Sequence, residues 1–441
     1  MVQWTSEQIL ALAPDEKSKQ AGRRLANRRH WDNLGYSDRA AWGECRGSGS
    51  KPYQTRVDLS EPAFKCSCPS RKFPCKHSLG LFLLLAAQPD EFASKTPPDW
   101  VQTWLDKRDR RSQAKGNTAA PSTADPKARA KRAADREARV SAGLQELDLW
   151  LHDLMRRGLA SVQSQPYQFW DDIAARMVDA KAGAIARQLR EMAGIANTGE
   201  GWADRLLQRL ARLHLLVSGY RNLHRLPSPL QAEIRTQIGW TQNQDELLSQ
   251  APSQRDRWQV VGQRVDAETT GATTLTVQRT WLHGGDSGNS ALILSFAGGN
   301  QPLDTSLVPG MEIDADLVFY RGSYPLRALV KTRYGEPEAI VEMSGYAAIL
   351  DGLEAYAAAL GQNPWLEEFP MLLAEVVPIR DGDGWAMVDS HGQGLPIAPQ
   401  FHRSWQLLAI AGGKAISAFG EWNGRDFRPL GVCSEARFVR L

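Results

Sequence analysis

"AFKCSCPSRKFPCKH", residues 63–77, holds three of the chain's five cysteines and one of its eight histidines. The spacing is Cys66-x-Cys68-x6-Cys75-x-His77. On a strand, residues two apart face the same side, so Cys66 and Cys68 are expected to point at one ion. Pro69 and the residues after it turn the chain, and Cys75 and His77 return from the first turn of a following helix. Three thiolates and one imidazole complete the tetrahedral shell of zinc, at about 2.3 Å for sulfur and about 2.0 Å for nitrogen. With all four positions filled by protein, the expected site is closed: one structural Zn2+, with no open position for an activated water. Three thiolates and Zn2+ leave one net negative charge, and Lys65, Arg71, Lys72 and Lys76 surround it. Those cations favour the thiolates and are the candidate phosphate or partner contacts.

Working outward, "YQTRVDL" (53–59) alternates like a strand, and "AFKCSC" (63–68) reads as its hairpin partner. Pro74 precedes "CKHSLGLFLLLAAQ", a buried helix. A β-β-α unit of this size is too small to be stable alone, and metal ligation is expected to supply the missing free energy. Before it, residues 1–50 read as helical ("TSEQILALA") and then looped, with "GSGS" as a turn and Cys45 packed with Trp42 against the finger.

The run Cys-x-Cys-x6-Cys-x-His between a strand and an apolar helix resembles the SWIM zinc finger. The wider stretch "WGECRGSGSKPYQTRVDLSEPAFKCSCPSRKFPCKHSLGL" (42–81) is similar to bacterial SWIM zinc-finger family proteins. The resemblance gives Cys66, Cys68, Cys75 and His77 the role of zinc ligands. It implies a module that binds protein or nucleic acid, and a protein partner of the AAA+ ATPase kind.

The charge is uneven. Residues 1–139 carry 26 Lys and Arg against 16 Asp and Glu, whereas the whole chain is only +3. An anionic partner is therefore expected at the front. Clustered cysteines fit metal binding in a reducing compartment better than a disulfide scaffold. The most apolar run, "LGLFLLLAA" (79–87), is far shorter than the about 20 residues a bilayer needs. No membrane partner and a cytoplasmic location are expected.

The expected fold is multidomain α+β. Residues 1–106 form an N-terminal domain containing the finger (about 53–88). Residues 107–139 have 11 basic and 4 acidic residues and no aromatic or large aliphatic one, which suggests a basic flexible linker. Residues 140–250 form a helical domain, with Leu144, Leu147, Leu151 and Leu154 at helical spacing. Residues 255–441 form a β-rich domain, barrel- or sandwich-like, with one inserted helix near 346–360 and hairpin turns at 381–384 and 423–424.

No catalytic residue is assigned. His152, His214 and His224 read as packed or surface histidines, Asp171 and Asp172 as the start of a helix, and "GGDSGNS" (284–290) as a loop. His391 and His402 join no nucleophile. Three functions remain open: a non-catalytic adaptor or scaffold that docks protein through the finger, a DNA- or RNA-binding protein that uses the basic finger and linker, and an enzyme with a site in the C-terminal region.

Overall fold

The computed structural model describes residues 6–46, 51–59, 63–70, 72–117, 126–270, 273–297 and 303–441. The N-terminal unit holds helices α1 (Ser6–Ala11) and α2 (Glu16–Leu25) and strands β1 (Trp31–Tyr36), β2 (Ala40–Cys45), β3 (Tyr53–Asp58) and β4 (Ala63–Cys66). Helix α3 (Lys76–Ala87), strand β5 (Ala93–Ser94) and helix α4 (Asp99–Asn117) complete it. The sheet order is β4-β3-β2-β1-β5, antiparallel except for β5 on β1.

The expected hairpin and helix are thus the edge of a larger sheet. Residues 31–45, read from sequence as loop, form the β1–β2 hairpin at its centre. The local composition hid it because glycines interrupt the alternation. Gly43 is needed there: a Cβ would stand 2.6 Å from Leu34 and 3.1 Å from Leu81 and Trp31. One face packs on α3 through Trp31, Leu34, Val57, Phe64, Leu81 and Phe82. The other is covered by α4 through Trp42, Val101, Trp104 and Leu105. Cys45 and Trp42 therefore lie on opposite faces, and Cys45 packs without Trp42, as an odd separation along a strand requires.

Residues 107–117 continue α4, and 126–139 begin helix α5 (Pro126–Arg157). The basic stretch, read from sequence as a flexible linker with nascent helix towards its end, is helical on both sides of residues 118–125, which lie outside the described set. Alanines, lysines and arginines favour helix even where no side chain is buried. Helices α6 (Tyr167–Asp179), α7 (Gly183–Met192), α8 (Trp202–Arg221), α9 (Ser228–Ile238) and α10 (Gln244–Gln250) follow. Leu144, Leu147, Leu151 and Leu154 of α5 share one core with α6–α9.

The C-terminal region has two sheets. Strands β6 (Ser253–Thr270), β7 (Thr273–Gly284), β8 (Ser290–Ala297), β9 (Met311–Phe319) and β10 (Ala328–Ala339) pair in the order β10-β9-β6-β7-β8. After helix α11 (Ile349–Gln362) come β11 (Phe369–Asp381), β12 (Gly384–Asp389), β13 (Gly394–Pro396), helix α12 (Ser404–Ala411), β14 (Ile416–Trp422), β15 (Phe427–Ser434) and β16 (Arg437–Arg440). These strands pair in the order β13-β12-β11-β14-β15-β16. The hairpin turns fall at the expected Gly382 and Gly424, both with positive φ.

Of the two expected forms, barrel-like or sandwich-like, the region takes the second: the two sheets pack on each other through Val261, Trp281, Phe419 and Leu430. The first sheet is not a closed barrel, and only an isolated bridge links Leu292 with Arg327. The region also carries a second helix: α12 occupies a stretch read as strand, because "WQLLAIA" is apolar enough for either element and short runs do not separate the two.

The units touch. Val308 and Met311 of the β region join the core beneath α3. Trp365 packs into the helical core and donates from Nε1 to the Arg212 carbonyl at 3.0 Å.

Candidate metal centre

The ligand positions follow from three local structures. Strand β4 pairs with β3 from Asp58↔Ala63 to Thr55↔Cys66 and then ends. The Ser67 N–H still donates to the Gln54 carbonyl at 3.0 Å, so Cys68 leaves the ladder just past its end. Cys75 is the N-cap of α3, and its Sγ accepts from the Ser78 N–H at 3.5 Å. His77, the second residue of the helix, is buried with Cys75.

One ligand atom from each of Cys66, Cys68, Cys75 and His77 lies within 4.8 Å of all the others. His77 Nδ1 stands 3.8 Å from Cys66 Sγ and 4.0 Å from Cys75 Sγ. A tetrahedron with zinc's usual bond lengths has edges of about 3.8 Å, so the four residues fit one structural Zn2+. Among the described residues this is the one group of three or more His, Cys, Asp and Glu side chains close enough to hold a metal.

The surroundings favour the Cys75 thiolate most, while burial raises Cys68. Thr55 Oγ1 lies 3.2 Å from Cys66 Sγ, and Ser78 Oγ lies 3.4 Å from Cys75 Sγ. The positive end of α3 faces Cys75. The Cys66 thiol donates to Cys75, which holds Cys75 well below and Cys66 well above the usual thiol range. Metal binding resolves that sharing by taking all three cysteines as thiolates and His77 as neutral imidazole. Cys45, nearby in the core, is pushed up to about 11 by burial and stays a thiol. The Tyr53 ring lies 4.9 Å from the His77 ring and closes that side.

The cations predicted around the site divide. Lys72 Nζ is 2.6 Å from Asp15 Oδ2, the residue that also caps α2. Lys65 faces Arg56 across the β3–β4 ladder. Lys76 is exposed at the start of α3, and Arg71 lies outside the described residues. Phe73, between the two ligand pairs, packs edge-on against Phe64 at 6.1 Å. Sequence reading missed Asp15, Thr55 and Ser78 as supports; only Ser78, three residues after a cap position, carries a sequence signal.

Outside this centre, the residues weighed from sequence fall into structural roles. Asp148 receives Arg221 at 2.7 Å and is flanked by His214 at 3.5 Å and His152 at 3.7 Å. Asp171 pairs with Arg190 at 2.8 Å. The 284–290 loop is organised by Asp256, whose carboxylate accepts from the Asp286 and Ser287 N–H groups at 3.0 Å. Asp389 accepts from the His391 N–H at 2.9 Å, and His402 is exposed.

A closed Cys3His site built on a strand end and a helix cap defines a structural zinc finger. More particularly, residues 56–86 match the family described as SWIM zinc finger, and residues 135–238 match the SWIM-associated four-helix bundle domain. The second match starts within the stretch expected to be linker. No curated protein and no solved structure matches the chain. The chain carries a SWIM zinc finger followed by its associated helical bundle. No helix among the described residues is long and apolar enough to cross a membrane.

Proposed function

We propose that the chain is a non-catalytic adaptor or scaffold that docks a protein partner through its SWIM finger, with an AAA+ ATPase as the partner class. The observation that carries this reading is where the cations of the front third go. Lys72 is held by Asp15, and Arg46 pairs with Asp32 at 2.8 Å. Arg39 and Arg108 converge on buried Asp58 at 3.6 and 3.0 Å. Arg56 stacks 4.9 Å from Trp100 and 5.7 Å from Trp104. A surface that tracks phosphates keeps its cations outward, whereas these are engaged within the chain. The closed metal shell supports a non-catalytic role for the zinc.

Affinity capture with the full zinc-loaded chain from its native cell, with and without nuclease, tests the reading. The expected result is an AAA+ ATPase retained after nuclease treatment. Loss of every captured protein on nuclease treatment would overturn it. A second reading, nucleic-acid binding, rests on exposed Lys131 and Arg139 at the basic start of α5. It requires binding to single- or double-stranded probes with a steep fall of log K against log salt.

A further inference from the structure

A groove of about 590 Å³ lies in the helical region, between α5 and the turn that joins α6 to α7. On the α5 side it is lined by Arg132, Asp135, Arg136 and Arg139. Positions 132, 136 and 139 share one helix face, and at 1.5 Å per residue the row is about 10 Å long. Opposite stand Val178 near the end of α6, Lys181 in the turn and Gly183 at the start of α7. Val178 is 45% exposed, an apolar side chain left open in a basic setting.

Four cations and one carboxylate line the groove. Arg132 is engaged by a contact of its own. Arg136 donates to the Gly239 carbonyl at 3.0 Å, a neutral acceptor, and its guanidinium lies 4.7 Å over the Trp240 ring. Arg139 and Lys181 are exposed and form no ion pair among the described residues. Of the carboxylates nearby in the chain, Glu137 is held by Tyr220 at 2.9 Å and Arg235 at 3.4 Å, and Asp179 is exposed and does not line the groove. With Arg132 counted as neutralised and Asp135 set against one other cation, two positive charges remain. Lys181 has φ 64°, the left-handed conformation in which glycine usually ends a helix. A lysine there keeps a cation at the edge of the groove at some cost to the backbone. Helix α7 opens beside it with no side-chain cap, so its first N–H groups carry partial positive charge into the same space. A Cβ on Gly183 would meet nothing within 4 Å, so that end of the groove is open.

We propose that this groove binds an acidic, extended segment of a partner protein, with Arg136, Arg139 and Lys181 facing its carboxylates and Val178 packing against an apolar side chain between them. An extended segment crosses the arginine row in about three residues. Guanidinium forks match carboxylate oxygens two at a time. Two observations favour a peptide over nucleic acid, the reading in which Arg139 also figures. No ring lines the groove, and Trp240 beside Arg136 already carries Arg136 and Arg235 at 4.7 and 5.6 Å and stacks on Tyr220 at 6.2 Å, which leaves bases no platform. Val178 offers an apolar contact that a phosphate backbone does not use. The groove belongs to the helical bundle, so it is a second docking surface and does not rest on the role of the finger.

The test is a fluorescence-anisotropy titration of the full zinc-loaded chain against labelled Glu-Glu-Leu-Glu-Glu-Leu-Glu. The same peptide with serine for leucine, a thymidylate strand of equal length and a short DNA duplex are titrated at the same salt. Saturable binding of the leucine peptide is expected, weakened about tenfold when Arg139→Gln and Lys181→Gln are combined, the scale of one lost charged hydrogen bond. Both side chains are exposed, so the core is untouched. Lys181→Gly is expected to leave Tm unchanged or raised, because glycine accepts that φ, and yet to weaken binding about threefold. Lys331→Gln, exposed on β10, is expected to bind as the parent does. The serine peptide binding as tightly as the leucine peptide overturns the role of Val178. No saturable peptide binding, peptide binding indifferent to the substitutions at 139 and 181, or tighter binding of either nucleic acid overturns the proposal.

Discussion

Replacing Glu421 by glutamine is expected to change how stability depends on pH, and the size of the change follows from the site. Glu421 is 3% exposed, accepts from Trp281 Nε1 at 2.8 Å and lies 3.0 Å from Arg264. The Oε2 nearest that guanidinium has no aligned hydrogen-bond donor, so proximity alone compensates it. Burial, and then repulsion from Glu368, push the carboxyl up from 4.5 to about 7. Between those values the folded chain keeps a proton that the unfolded chain has released. The contribution of Glu421 to stability therefore falls as pH rises through that window. One pKa unit is worth a little over 1 kcal/mol, so the loss between pH 5 and pH 8 is on the order of 2–3 kcal/mol. For a region of this size that corresponds to about 5–10 °C in Tm. Glutamine keeps the shape and the acceptor for Trp281 but cannot charge. Thermal melts of the β region at pH 5 and pH 8 are expected to show the parent losing about 5–10 °C relative to Glu421→Gln. Parallel pH profiles for the two proteins would refute the reasoning.

Three further outcomes are expected. Purified protein should carry about one zinc per chain. Chelation should loosen only the 66–77 segment, with new proteolytic cuts there and far-UV circular dichroism largely kept, because α3 stays packed on β1–β4; collapse of the whole N-terminal unit on chelation would contradict this. Gly143→Ala in α5 should destabilise the helical bundle in denaturant titrations by about 1 kcal/mol. Alanine gains about 1 kcal/mol of helix propensity, but its Cβ would overlap Ala180 Cβ, and overpacking costs about 1–3 kcal/mol. A more stable variant would show that the α5–α6 contact yields.

The metal centre was almost wholly legible in the sequence because every ligand lies within twelve positions and its spacing reports local geometry. The helical region was legible too, since Leu144, Leu147, Leu151 and Leu154 repeat at the period of the helix that buries them. What escaped was set at long range. The β1–β2 hairpin depends on the sheet and helix beside it: Gly35 makes room for Trp42 across the hairpin, and Gly43 for Leu34 and Trp31 of β1 and Leu81 of α3. The extra helix α12 lies in an apolar run that reads equally well as strand.

That the finger is embedded changes what its metal is for. Residues 53–87 taken alone are short of apolar core, which makes zinc look like the source of folding energy. In the chain, α3 packs against α1 and α2 as well as the sheet, and Val308 and Met311 extend the same core into the β region. Zinc then adds to a core that the rest of the chain already extends. Residues 69, 70, 72 and 73, between the two ligand pairs, are exposed. Lys72 is anchored to Asp15 and Phe73 packs edge-on against Phe64. Cys68 and Cys75 stand on either side of that stretch, so four ligands on one ion also fix the exposed surface between them.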